Sequence, residues 1–541
     1  MTASEKGRYG ILVGKGYFPE ELPPCFTSED LEAIVKKANF NIGNYSRNPD
    51  DKELLKFSKL IPFSIPHLRG YRRMLSIPGP FHYTQLAHTL VINRNAISSI
   101  ITASEMSVFR DYDAALTSAR YISKPDFKAL TEQRILKATG YRYLLVVDIS
   151  RFYASIYTHS IPWAIHTKAV AKANDRFTLY GNMVDLHTRQ CQDRQTMGLP
   201  VGPDSSRIIS EIILATVDKG LQETLSDFKG IRNVDDYYLY FKTYADAERG
   251  KTLLQKLLRE YELELNLAKE KIIELPEIME SEWKSAIRRF RFRRKAEHER
   301  SDLIMFFDMN FSFAKKYPDD MILTYAIAKL RGLSVHRSNW KIFEAFLLNA
   351  IVLEPKVVQQ VIYVFLINRE RGVRIDWPKV QGAIEAFMLF HAEHDHHFEL
   401  VWSLWFFLKC EIELSAEAVK GLNASNNDLV ILLLLELERK NLLGKPLIKR
   451  TWRQLITKEN LVSEHWLLAY ESGAGHYLGT DTSHIEEVEY FAMLLEKRVR
   501  FFKPDDEAQE DEHVIEPKSS LAKELESHEN RDDDDDDIED V

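Results

Sequence analysis

Asp148, Asp235 and Asp236 are the residues whose types and setting could do chemistry in this chain. The last two are adjacent, inside Ile231-Arg232-Asn233-Val234-Asp235-Asp236-Tyr237-Tyr238-Leu239-Tyr240-Phe241. Asn233 and the Asp pair favour a tight turn and the flanks favour strands, which predicts a β-hairpin. Successive strand residues point to opposite faces, so one Asp leads at a shared metal and the other supports the bend. Taken alone, the pair would read as a solvated turn, because turn chemistry favours Asp anyway. Asp148 changes that reading. It ends the apolar run Tyr143-Leu144-Leu145-Val146-Val147, which predicts a buried strand. A charge there is expensive unless it is paired, hydrogen-bonded or metal-bound. A carboxylate at one strand end facing a pair on a neighbouring hairpin can hold two hard cations about 3.5–4 Å apart. Mg²⁺ suits such a site, with Mn²⁺ as the alternative, because it takes one or two carboxylates plus substrate phosphates.

Three further stretches accompany the acids. Gly198-Leu199-Pro200-Val201-Gly202-Pro203-Asp204-Ser205 is a Gly/Pro loop opening a helix, capped by Asp204 or Ser205. Arg72-Arg73-Met74-Leu75-Ser76-Ile77-Pro78 precedes Asp148, and Leu265-Asn266-Leu267-Ala268-Lys269 follows the hairpin. In this order the set resembles the fingers and palm of reverse transcriptases. Tyr157-Thr158-His159-Ser160-Ile161-Pro162-Trp163 looks like the AbiK branch, bacterial abortive-infection enzymes that defend against phage.

The resemblance implies roles. Asp148, Asp235 and Asp236 hold the metals, and Arg73 binds the triphosphate, where a guanidinium fork suits phosphate oxygens. Tyr153 excludes the ribose 2′-hydroxyl, Gly202 and its loop shape the nucleotide pocket, and Lys269 donates a proton to leaving pyrophosphate. Family members are similar in priming DNA on a protein hydroxyl. Tyr9, flanked by Gly10 in a loose segment, is the candidate, with Tyr17 second. The alternative for Tyr9 is an aromatic that anchors the N-terminus. Two positions depart from the common pattern: Asn233 replaces the usual Tyr, and Val201 replaces the usual Gln. Both help hold primer and template in ordinary family members, so the departures fit synthesis without a template.

The elements that must position these residues divide the chain. Residues 1–60 read as an irregular N-terminal arm and the start of the fingers, and 61–285 as fingers and palm. Residues 286–503 read as helices in an α-solenoid, HEAT-like stack, with start signals at Ser415 and Asp428. Residues 504–541 form a low-complexity acidic tail, expected to be disordered. The predicted fold class is therefore α+β followed by an all-α region. Formal charge is −9, but eighteen acidic and three basic residues from Asp505 onward make the tail −15. The rest of the chain is then +6, which suits phosphate partners. Cys25, Cys191 and Cys410 are isolated, fitting a reducing bacterial cytoplasm. No apolar run is long enough to span a bilayer.

Two clusters stay open at this level. Arg288-Arg289-Phe290-Arg291-Phe292-Arg293-Arg294-Lys295 either stacks and grips a nucleic-acid strand or packs its two Phe and shows its Arg. His391, His394 and His397, three apart, either hold a metal or form a polar patch at a helix end. The expected partners are deoxynucleoside triphosphates, a single-stranded DNA product attached to the protein, RNA, and further copies of the chain in a homo-oligomer. Three other readings remain: a conventional RNA-templated reverse transcriptase with a non-coding RNA, a polymerase with a housekeeping or mobile-element role, and a non-catalytic nucleic-acid-binding scaffold.

Overall fold

The computed structural model describes residues 1–37, 40–45, 49–67, 70–109, 127–174 and 176–505. Six strands form two sheets. β1 (Ile61–Pro66) and β2 (Arg72–Ile77) make an antiparallel hairpin. β3 (Tyr143–Asp148), β4 (Lys229–Asn233), β5 (Asp236–Phe241) and β6 (Lys271–Glu274) make an antiparallel sheet in the order β4-β5-β3-β6. β3 lies in the middle because Leu144, Leu145 and Val147 are apolar on both faces and find cover on both. Its register with β5 sets Asp148 opposite Asp236.

The helix Asp204–Thr224 supports this sheet. Ile208, Ile209, Ile212, Ile213, Val217 and Leu221 repeat at helical spacing and are all buried. Pro203 is its N-cap and Asp204 its first residue, so the cap falls one position before Asp204 and two before Ser205. The helix Tyr244–Arg259 packs against β5 and β3 and begins at a Thr243 side chain that accepts the Asp246 N–H.

The N-terminus differs from its expectation. Residues Ala3–Val13 form a helix opened by a capping box, with Thr2 and Glu5 bonding each other's backbone N–H. A second helix spans Glu29–Val35. A Cβ on Gly10 would lie 2.2 Å from Lys36 Cε, so this glycine allows close approach of the segment after the second helix rather than looseness.

From Glu282 onward the chain is helical. The helix His397–Cys410 is buried along nearly its whole length and touches Val358–Glu370, Trp377–Ala392, Asp428–Arg439 and β1. Ser415 caps the next helix as expected. At the following start Asn427 is the cap, and Asp428 turns inward to Leu468 N and His465. The C-terminal helices close onto the N-terminal segment: Trp402 donates to Glu21 O, and Phe18 packs on Trp466 and Phe501. The expected disordered tail lies outside the described residues from 506 on. Among the described residues no helix is long and apolar enough to cross a membrane.

Candidate active site

The hairpin β4–β5 turns through Val234-Asp235, with Asn233 paired to Asp236. Val234 has φ +55°, an uncommon conformation for a β-branched residue that costs on the order of 1–3 kcal/mol. What holds it lies underneath. Arg232, wholly buried, donates from Nη1 to the Val234 carbonyl at 3.0 Å. The same guanidinium forks onto Glu211 at 2.9 Å on both oxygens and donates from Nε to Asp218 at 2.8 Å. Tyr237 and Ser104 complete Asp218, and Ser107 completes Glu211. The turn that carries the Asp pair is thereby fixed to the helix Asp204–Thr224.

Asp235 sits at the bend, and Asp236 faces Asp148 across the sheet. Burial raises the Asp235 carboxyl to about 7, reinforced by the charges of Asp236 and Asp148. Asp236 is raised for the same reasons, opposed by Lys269. Lys269 Nζ lies 2.6 Å from Asp148 Oδ2, and Asn266 holds both the backbone carbonyl and a carboxylate oxygen of Asp148. Burial works against the Lys269 ammonium, but its bond to Asp148 keeps it above its ordinary value. One cation thus faces three carboxylates, and the oxygen-only donor set with excess negative charge fits divalent hard ions.

Tyr153 stands beside this cluster on a short helix, Phe152–Ser155. Burial pushes its phenol up to about 12, and its surroundings include Ser210, Arg207 and Asp235. Leu199 N bonds Tyr153 O, Gly198 N bonds Ile156 O, and Ser76 N bonds Val201 O. The Gly/Pro loop therefore joins Tyr153 to β2. Gly202 takes φ +129°, and a Cβ there would meet Pro19 at 2.7 Å. Arg73 is exposed on β2, while its neighbour Arg72 turns to the opposite face and bonds Glu399. His67 is held below its usual value by burial first, and then by the positive charges of Arg73, Lys356 and Lys269.

Tyr9 is not brought to the site. It is buried in the first helix, and its hydroxyl donates to Thr84 O at 3.1 Å. Tyr17 is equally buried, bonded to Pro78 O. The expectation of a loose, reachable Tyr9 is not met in this conformation: the phenol is internal, its proton is engaged, and burial raises it further. In the basic stretch, half-buried Phe290 and Phe292 pack on each other and on Phe306, and the Arg are exposed.

Asn266 and the Arg232 network were not singled out by sequence. A signal existed for the second: a lone Arg in an apolar strand needs buried acids, and Glu211 and Asp218 lie seven apart on an apolar helix.

A family model described as reverse transcriptase (RNA-dependent DNA polymerase) matches residues 94–308. The matched segment contains the four-stranded sheet with Asp148, Asp235 and Asp236, and is similar to a reverse-transcriptase domain. No curated protein matches the chain in sequence. Among solved structures, apo telomerase of Candida tropicalis truncated from its C-terminal domain is 15% identical, with a TM-score of 0.29, over 44% of this chain and 54% of that one. Apo telomerase from Candida tropicalis is 12% identical, with a TM-score of 0.32, over 60% and 70%. Telomerase from Candida albicans, in complex with a TWJ fragment of telomeric RNA, is 12% identical, with a TM-score of 0.29, over 63% and 66%. The chain thus spans about half the length of the first of these.

Proposed function

We propose that this protein is a DNA polymerase of antiphage, abortive-infection defence that adds deoxynucleotides without a template, with Mg²⁺ held by Asp148, Asp235 and Asp236. The observation that carries the catalytic part is the convergence of three carboxylates at one end of the sheet, with Asp235 raised to about 7 by burial and by the other two. Bound divalent ions would supply Lewis-acid stabilisation of the attacking and leaving oxygens.

The chain's own residues do the rest. Asp236 and Asp148 face each other from a rigid sheet, and Arg232 fixes the turn that aims Asp235. Arg73 receives the triphosphate from the fingers side, and Tyr153 closes the space beside the sugar. The attacking hydroxyl gives its proton to water as its oxygen forms a bond to the α-phosphorus, the bond to the bridging oxygen breaks, and pyrophosphate leaves. Lys269 donates its proton to that leaving group. It is paired with Asp148 in this structure, and would be released to turn toward the phosphates if Asp148 held a divalent ion.

The untemplated reading is supported by Asn233 and Val201 at the two departing positions. Val201 packs its side chain partly against the core and gives its carbonyl to Ser76. Defence, protein priming and closed homo-oligomers rest on the AbiK-like heptad, with a protein hydroxyl other than that of buried Tyr9 as primer. Three buried free thiols, Cys25, Cys191 and Cys410, fit the reducing bacterial cytoplasm.

The test is incubation of purified protein with Mg²⁺ and labelled deoxynucleotides, without template or primer, read on denaturing gels before and after protease. Protein-bound label that disappears in Asp236→Asn is the expected result. Label that requires added RNA template and primer favours the RNA-templated reading that the matched family description suggests.

A further inference from the structure

We propose that His391, His396 and Glu399 form a binding site for a divalent transition-metal ion, zinc by its ligand class, that clasps the helical region to the β1–β2 hairpin. The inference is independent of the polymerase reading. The helix Trp377–Ala392 carries His391 in its last turn, and the helix His397–Cys410 carries Glu399 in its first. A tight corner, with Asp395 at φ +51°, brings His396 back over His391.

Three donor atoms converge there. His391 Nδ1 and His396 Nδ1 share a hydrogen bond at 2.7 Å, whose proton an ion would replace, and Glu399 Oε1 lies 3.7 Å from the first and 3.9 Å from the second. A tetrahedral site with metal–nitrogen bonds of about 2.0–2.1 Å has ligand–ligand edges of about 3.3 Å. The observed triangle scatters around that edge, so small side-chain movements suffice. Two His and one carboxylate leave a fourth position for water. It lies beside a cavity of about 450 Å³ lined by Ser64, Arg72, His394, His396, His397 and Asn427, which supplies an entry path.

The surroundings support ligation. Glu399 is wholly buried and His391 nearly so. Arg72 forks onto Glu399 from β2 and also bonds Ser64, fixing the carboxylate as outer partners of metal ligands do. Asp395 adds negative charge beside His396. His394 and His397, expected from their spacing to join His391, are engaged elsewhere. His394 Nδ1 bonds Phe390 O, and His397 Nδ1 accepts the Ser64 N–H.

Two imidazoles with a carboxylate favour zinc or its transition-metal neighbours, whereas the oxygen-only cluster at Asp148 favours Mg²⁺. The ion would fasten the corner that bonds Ser64 and Arg72, one residue from Arg73.

Full-length protein is stripped with chelator, then titrated with Zn²⁺ in excess Mg²⁺ by calorimetry, with Co²⁺ absorption as a geometric readout. The expected result is one Zn²⁺ per chain and a tetrahedral Co²⁺ spectrum. His396→Gln should weaken binding by about 10-fold or more and erase the zinc-induced rise in melting temperature. His394→Ala should change neither. His396 is half-buried, so His396→Gln should melt like the parent in chelator, which separates lost binding from lost folding. Wild type that takes up no Zn²⁺ in excess Mg²⁺ overturns the proposal. So does His396→Gln that binds as tightly as wild type.

Discussion

Two clusters of acids flank the same hairpin, and they are built in opposite ways. Beneath it, Glu211 and Asp218 are fully buried and meet a buried guanidinium, a phenol and two serines. At its tip, Asp148, Asp235 and Asp236 meet one exposed lysine and one amide. The first cluster is closed by hydrogen bonds to every carboxylate oxygen and holds shape. The second keeps unpartnered negative charge on a rigid frame, which the proposed divalent-ion site requires. Burial alone does not distinguish a scaffold from a reaction site; the balance of partners does.

Removing charge from the open cluster should have the largest effect. Asp236→Asn should lower deoxynucleotide incorporation by about 10³-fold or more, since metal-dependent stabilisation is worth several kcal/mol. The same change should raise the melting temperature without Mg²⁺, because it relieves repulsion. Melting curves with and without Mg²⁺ check this, and a fall in metal-free stability would contradict the comparison.

In the closed cluster the signs reverse. Arg232→Met strands two buried carboxylates and should cost about 3–5 kcal/mol. Arg232→Met with Glu211→Gln and Asp218→Asn should recover most of that stability, measured by denaturant unfolding. If the triple variant is no better than the single one, the cost does not come from stranded carboxylates.

Lys269→Ala sits between the two. Loss of a proton donor should lower turnover by about 10²-fold. An exposed pair is worth at most about 1 kcal/mol, so half-saturation by Mg²⁺ should tighten only a few-fold. Rates measured against Mg²⁺ concentration separate the two effects.

Much of the open cluster was legible because the code for it is local. Asp148 closes an apolar run, and Asp235-Asp236 interrupts β-formers, so strand, turn and acid could be read together. The closed cluster joins residues of a helix, a strand and the segment at Ser104, and no local pattern spells that. Tyr9 shows the converse error. Gly10 suggests looseness in the sequence, yet it permits close packing and its neighbour Tyr9 is core. The histidine spacing failed similarly: a period of three assumes one helix, while the chain turns a corner at Asp395 and substitutes His396 and Glu399.

A smaller effect comes from His82 and His187, buried groups outside both clusters. Burial lowers His82 to about 3 and His187 to about 4, with a backbone carbonyl opposing in each case. An unfolded imidazole titrates near about 6.5. Below that pH the unfolded chain takes up protons that the folded chain refuses, so stability is full above about 6.5 and falls as the medium is acidified. Each imidazole should cost up to about 1.4 kcal/mol per pH unit, levelling off near its folded value. Asp235 acts with the opposite sign. Its folded value near 7 exceeds the unfolded one, so its contribution is present at low pH and is lost as pH rises from about 4 to about 7. His82→Gln with His187→Gln, the first keeping a donor for Leu55 O, should flatten the loss between about pH 6.5 and 5 and leave the neutral end unchanged. Adding Mg²⁺ should act at the neutral end, where ionised Asp235 gains its partner, and leave the acid slope alone. A double variant with the parent's acid slope would mean that protonation elsewhere sets the acid limit.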